Sequence, residues 1–217
     1  MSKRSQFSLK QAKRYLNWLF FTAKGDSNAV AAQKYYGLTS FVISIIILAV
    51  SFHSLFNTIL TFLANMFISA PAGTSLDRFG TSTVNYLSTF RRNGFLSGLL
   101  LITISFVILI GLSYGCCRHM QSRLTLWNYV NRLATLTNAS LGLEGIGLIL
   151  ALIGHGFKLV VILDLIAILI YQIGTVDDLW QFHYPSRQFR IYLTVGLLCL
   201  YPICFLVVLY LLILASR

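Results

Sequence analysis

The feature that most limits what this sequence can fold into is a series of nearly uninterrupted apolar runs. Several of them reach the roughly 20 residues that an α-helix needs to cross about 30 Å of hydrocarbon. Five spans are predicted, over residues 38–62, 94–115, 137–154, 157–176 and 191–215. In lipid a backbone amide or carbonyl has no water to bond, so a single spanning segment satisfies its own polar groups only as a helix. The expected fold is therefore all-α, a polytopic integral membrane protein with about five transmembrane helices and two amphipathic interfacial helices. Composition excludes an ordinary soluble domain: of 217 residues, 57% are hydrophobic and 11% charged. Residues 1–36 read as a basic cytoplasmic amphipathic segment and residues 37–217 as the membrane domain.

Seventeen Lys and Arg against six Asp and Glu give a net charge of +11. In a soluble chain that surplus would point to nucleic acid. Here the membrane accounts for it, because basic residues collect at the cytoplasmic ends of spans and meet anionic headgroups there. With the amino terminus inside, the inner segments hold twelve Lys and Arg and the outer segments five. The count predicts a plasma-membrane protein with a cytoplasmic amino terminus and an extracellular carboxyl terminus. Lys10, Lys13, Arg14, Arg118, Arg123, Arg132, Arg187 and Arg190 are the candidates for contact with lipid headgroups. The expected partners are the bilayer, its anionic headgroups and other membrane proteins or further copies of this chain, with no nucleic acid.

Periodicity refines the segments. Leu9, Ala12, Leu16, Leu19 and Phe20 share one helical face, which reads as an interfacial helix or as a helix packed on the protein's own inner surface. Met120, Leu124, Trp127, Val130 and Ala134 predict a second interfacial helix. The first span keeps its apolar character to Ile68 and so tilts or projects beyond the bilayer. Residues 70–93, opened by Pro71 and rich in Gly, Ser and Thr, read as an external loop with a short helix around Val84, Leu87 and Phe90. Pro202 is expected to kink the last span.

The strongest candidate for chemistry is the hairpin from Thr137 to Thr175, which carries one carboxylic acid on each arm. Glu144 lies ten residues before Gly154 and Asp164 eight after Gly156, so their depths differ by only about 3 Å at 1.5 Å per residue. They are placed to meet across the hairpin. Ser140, Glu144, Gly147, Ala151 and Gly154 recur at spacings of four, three, four and three, a small-residue face suited to close helix packing. Asp164, Ala167, Tyr171 and Gly174 form the facing stripe, and His155 sits at the outer mouth. Two uses of the seam Glu144, Asp164, Tyr171, His155 and Ser140 remain open: hydrogen-bonded packing, or a cation or proton site, as intramembrane ionisable groups often are.

No phosphate loop, zinc helix or nucleophile elbow is present. The four His and four Cys have no metal-ligand spacing, the cysteines are expected to be free thiols, and neither metal nor cofactor is anticipated. Tyr15-Leu16-Asn17-Trp18-Leu19 and Lys34-Tyr35-Tyr36-Gly37-Leu38, the latter opening directly into a span, resemble uncharacterised multi-span membrane proteins of lactobacilli and related Firmicutes. The likeness covers about the first sixty residues. Many of those proteins begin with a zinc ribbon; this chain has no Cys before Cys116 and lacks one. The five-span layout is similar in topology to Yip-type trafficking proteins. The resulting expectation is a non-enzymatic bacterial plasma-membrane protein of envelope or interaction type with a basic cytoplasmic face. The alternative is a small cation- or proton-coupled carrier or channel using Glu144 and Asp164.

Overall fold

A computed structural model describes residues 3–25, 33–68, 75–120, 123–153, 157–180, 188–189, 191–200 and 203, and within these residues the apolar runs are helical. The elements are α1 (Lys3–Ala23), α2 (Tyr36–Ile68), α3 (Ser75–Met120), α4 (Leu126–Thr137), α5 (Ala139–Ile153), α6 (Phe157–Trp180) and a shorter apolar α7 (Ile191–Leu200). Among the described residues three stretches are long and apolar enough to cross a membrane: Tyr36–Ile59 of α2, Gly94–His119 of α3 and Lys158–Trp180 of α6. A fourth exists if α4 and α5, bent by 61° at their junction, count as one broken span. The expected five spans are not supported. With 15 residues α5 reaches only about 22 Å by itself, and α7 is too short to cross over its described length. The predicted kink at Pro202 lies outside the described residues.

Two other expectations are corrected. The predicted loop at 70–93 is helical from Ser75 onward, because α3 runs unbroken for 46 residues. Once the apolar run has nucleated a helix, each further residue adds a hydrogen bond, while Ser, Thr or a single Gly costs only about 1 kcal/mol or less. The second correction concerns α4. Its sequence reads as a helix lying on the membrane surface, yet α4 packs against α1, α2, α3, α5 and α6. Tyr129, Val130, Leu133, Ala134 and Thr137 are all buried. An apolar stripe shows only that one face must be covered, not whether lipid or protein covers it.

Close crossings hold α4 in place. A Cβ on Gly37 of α2 would stand 2.5 Å from the Val130 carbonyl oxygen, and one on Gly174 of α6 would stand 2.5 Å from the Thr137 methyl. At the first crossing Asn131 ties down the start of α2: its Oδ1 accepts from the Gly37 amide at 2.7 Å and its Nδ2 donates to the Gln33 carbonyl at 2.9 Å. The Gly37 amide has no acceptor within α2 itself, whereas the Gln33 carbonyl also accepts from the Tyr36 amide at 3.1 Å. The bend between α4 and α5 falls at Asn138, whose Nδ2 donates to Thr22 of α1 at 2.7 Å.

The helix α1 uses a different face for packing than its periodicity picked out. Trp18 and Thr22 are buried, with Tyr15 and Leu19 beside them, and Trp18 packs against the rings of Tyr15 and Tyr36. Leu9, Leu16 and Phe20 stay exposed. Of the two readings the sequence left open, α1 shows features of both: one face on the protein and one apolar face uncovered. It ends at Gly25, whose φ of +84° is the left-handed conformation glycine adopts at low cost. Around the bundle, Ile149, Leu152, Leu165, Leu169 and Ile173 form an uncovered apolar girdle.

The Gly37 contact is with backbone and cannot be relieved by a rotamer change. Gly37→Val is therefore expected to lower thermal stability in detergent by roughly 1–3 kcal/mol. Gly111→Ala, where a Cβ meets nothing within 4 Å, is expected to be neutral or slightly stabilising. Equal melting temperatures for wild type and Gly37→Val would show that α4 does not cross here.

Candidate functional site

The site is organised by a face of α2 rather than by the hairpin alone. Ser40, Ser44, Ser51 and Ser54 are spaced by four, seven and three residues, which puts them on one side of the helix. A hydroxyl buried among apolar side chains needs a partner, and each serine has one. Ser40 Oγ lies 3.0 Å from the Tyr15 hydroxyl of α1. Burial pushes the Tyr15 phenol above its ordinary value, and either hydroxyl can be the donor of this bond. Ser44 accepts from the Tyr171 hydroxyl at 2.7 Å and donates to Glu144 Oε2 at 2.5 Å. Ser51 donates to Asp164 Oδ2 at 3.0 Å, and Ser54 donates to the Ala151 carbonyl at 2.9 Å.

The helices α5 and α6 complete the ladder. The buried residues of α5 are Ser140, Glu144, Gly147 and Ala151. Gly147 leaves room for the second acid, since a Cβ there would lie 3.1 Å from Asp164 Oδ1. Tyr171 of α6 is held by its ring, 4.9 Å centroid to centroid from Phe106 and 5.9 Å from Phe41, which aims the hydroxyl at Ser44. The two acids do not bond to each other, unlike the expectation from equal depth. Each turns to its own serine, and those serines stand about 10 Å apart along α2. One oxygen of each acid, Glu144 Oε1 and Asp164 Oδ1, is buried without a hydrogen-bond partner, as is Ser140 Oγ one turn before Glu144. An unmet buried acceptor costs about 1–3 kcal/mol, more for a charged group.

Of the seam residues taken from the sequence, Glu144, Asp164, Tyr171 and Ser140 are brought to one interface and His155 lies outside the described residues. The sequence reading missed Ser40, Ser44, Ser51, Ser54 and Tyr15. Their spacing was visible, but serine in an apolar helix reads equally well as a small packing residue. Among the headgroup candidates, Lys10, Lys13, Arg14, Arg118 and Arg123 are exposed, while Arg187 and Arg190 lie outside the described residues. Arg118 folds back on Tyr114, donating to its hydroxyl at 3.0 Å. Arg132 instead forms an ion pair with the fully buried Asp178 of α6, whose other oxygen accepts from the Cys117 thiol of α3 at 3.6 Å. This second polar cluster joins α3, α4 and α6.

Among the described residues no group of three or more His, Cys, Asp or Glu converges as a metal site. No family model, curated protein or solved structure matches the chain.

Removing one member of a buried ion pair leaves the other uncompensated, which costs about 3–5 kcal/mol when both are fully buried. Arg132 keeps 34% of its side-chain surface exposed, so Asp178→Asn is expected to cost less, about 1–3 kcal/mol. Arg132→Met combined with Asp178→Leu should recover part of the loss. A double-mutant cycle in detergent checks this, and a coupling indistinguishable from zero would reduce the pair to a surface contact.

Proposed function

We propose that this chain is a multi-span membrane protein whose α2–α5–α6 seam takes up a proton or a small monovalent cation, as a small carrier or channel. One observation carries the reading: the hydroxyl and carboxyl groups form a ladder along one face of α2 from Ser40 to Ser54. Its rungs extend over about 21 Å of helix, most of the thickness of a hydrocarbon core. A packing role needs one or two polar contacts between helices. It does not need two carboxyl groups, each with an oxygen left over. The spare oxygens are acceptors that a proton or a weakly hydrated cation would complete, and Tyr171, Ser44 and Glu144 form a connected donor chain. The reading puts the protein in a bacterial plasma membrane with its amino terminus inside. Its support is the Lys and Arg count and the resemblance of residues 15–19 and 34–38 to the lactobacillus membrane proteins.

The second reading is a non-enzymatic envelope or interaction component acting through a basic inner face. It is favoured by the exposure of Lys10, Lys13 and Arg14 on α1. Flux measurements separate the two. In proteoliposomes with an imposed pH gradient and an internal pH-sensitive dye, the wild type is expected to dissipate the gradient well above protein-free vesicles. Loss of a positioned proton-transfer group lowers rates by about 100-fold or more. Glu144→Gln and Asp164→Asn should fall in that range, and Ser44→Ala should be impaired with Glu144 intact. Wild-type flux no greater than that of empty vesicles, with Na⁺ or K⁺ present, would sink the carrier reading in favour of the interaction reading.

A further inference from the structure

The uncovered side of α1 is not a featureless apolar surface. Between α1 and α5 lies a groove of about 540 Å³, within the size range of sites that enclose a small ligand. Leu16, Phe20 and Ala23 of α1 form one wall and Leu141 and Gly142 of α5 the other, with the Asn17 amide at the side. Leu16 and Phe20 are each more than half exposed, at 59% and 56%. Such surface is costly to leave against water. The groove has a charged rim as well. Lys13, Asn17, Phe20 and Lys24 follow one another at spacings of four, three and four residues, so they line up along one face of α1. Lys24 Nζ stands 4.2 Å from the centroid of the Phe20 ring, directly at the groove wall. Both lysines are exposed, and among the described residues neither has an ion-pair partner.

We propose that the α1–α5 groove binds one anionic phospholipid of the surrounding bilayer, an acyl chain lying over Leu16, Phe20, Leu141 and Gly142 and the headgroup drawn to the basic rim, with Lys24 against the Phe20 wall and Lys13 on the same side of α1. Charge decides the occupant. A zwitterionic lipid would satisfy the apolar floor equally well, but it carries no net charge to match two cations. A basic residue near the surface raises anionic-lipid binding by about fivefold, so two at one site act as a selector. Asn17 offers an amide donor and acceptor at the side of the groove. The missing Cβ of Gly142 keeps the α5 wall open, since a side chain there would meet nothing within 4 Å and would project outward. This site is separate from the serine ladder and does not depend on whether the protein transports anything.

The full chain, reconstituted in phosphatidylcholine nanodiscs, is exposed to trace photoactivatable phosphatidylglycerol or phosphatidylcholine with the same diazirine-bearing acyl chain. Cross-links are then mapped by peptide mass spectrometry. In the wild type the phosphatidylglycerol probe is expected to label residues 16–20 and 141–142 about 25-fold more than the phosphatidylcholine probe. Lys13→Gln with Lys24→Gln should bring the two probes to parity. Gly142→Phe, which fills the groove, should remove labelling by both, and circular dichroism checks that each variant is folded. The proposal is overturned by equal labelling with the two probes in the wild type, or by a phosphatidylglycerol excess that survives the double lysine substitution. Labelling unchanged by Gly142→Phe, or spread equally over Leu165 and Leu169 of α6, would overturn it as well.

Discussion

The crossing of α4 over the start of α2 positions nearly everything else. Where Gly37 lies against the Val130 carbonyl, two helix backbones touch with no side chain between them. That closeness lets Asn131 reach the orphan Gly37 amide in the first turn of α2 and the Gln33 carbonyl just before it. One residue on, Arg132 reaches Asp178 of α6, and at the end of the helix Asn138 reaches Thr22 of α1. A helix of twelve residues thus sets the height of α2 and α6 relative to each other and fixes α1 on the outside. The depth of α2 then decides which serine faces which acid.

The two polar clusters differ in kind. At the α4 end, amide meets carbonyl, guanidinium meets carboxylate and carboxamide meets hydroxyl, while the Tyr36 and Tyr129 hydroxyls are buried there without a hydrogen-bond partner. Such a cluster acts as a joint, and its cost is offset by the bonds it makes. Along the serine ladder the bookkeeping leaves a remainder, because Glu144, Asp164 and Ser140 each keep an unmet oxygen. Natural proteins usually meet their buried polar groups. The seam differs in that two carboxyl groups without a cationic partner each keep an unmet oxygen there, and the functional proposal rests on those two acids.

The lipid groove and the ladder share a structural cause. Since α1 packs through Tyr15, Trp18 and Thr22, its Leu16 and Phe20 turn outward, while Tyr15 turns inward to Ser40. One short amphipathic helix therefore supplies the first rung of the ladder and one wall of the groove. Its lysines lie outward for the same reason, since Lys13 and Lys24 share the Asn17 and Phe20 side rather than the Trp18 side.

The sequence by itself determined an all-helical fold with several long apolar segments, and it picked out the inward face of α5, because small residues and one acid at three- and four-residue spacing leave little choice of side. It also named the two acids and Tyr171, since carboxyl groups are rare in apolar runs. Only the tertiary structure decided what those faces meet. Equal distance from a turn put Glu144 and Asp164 where they could meet, but α2 supplies a nearer donor to each, and partner choice among three helices depends on their relative heights. The same limit applies to α4: its apolar stripe required a cover, and nothing local told protein from lipid. The long start of α3 was hidden for the opposite reason. Gly, Ser and Thr weaken a helix only slightly, so a composition typical of loops did not prevent the helix from extending beyond its apolar core.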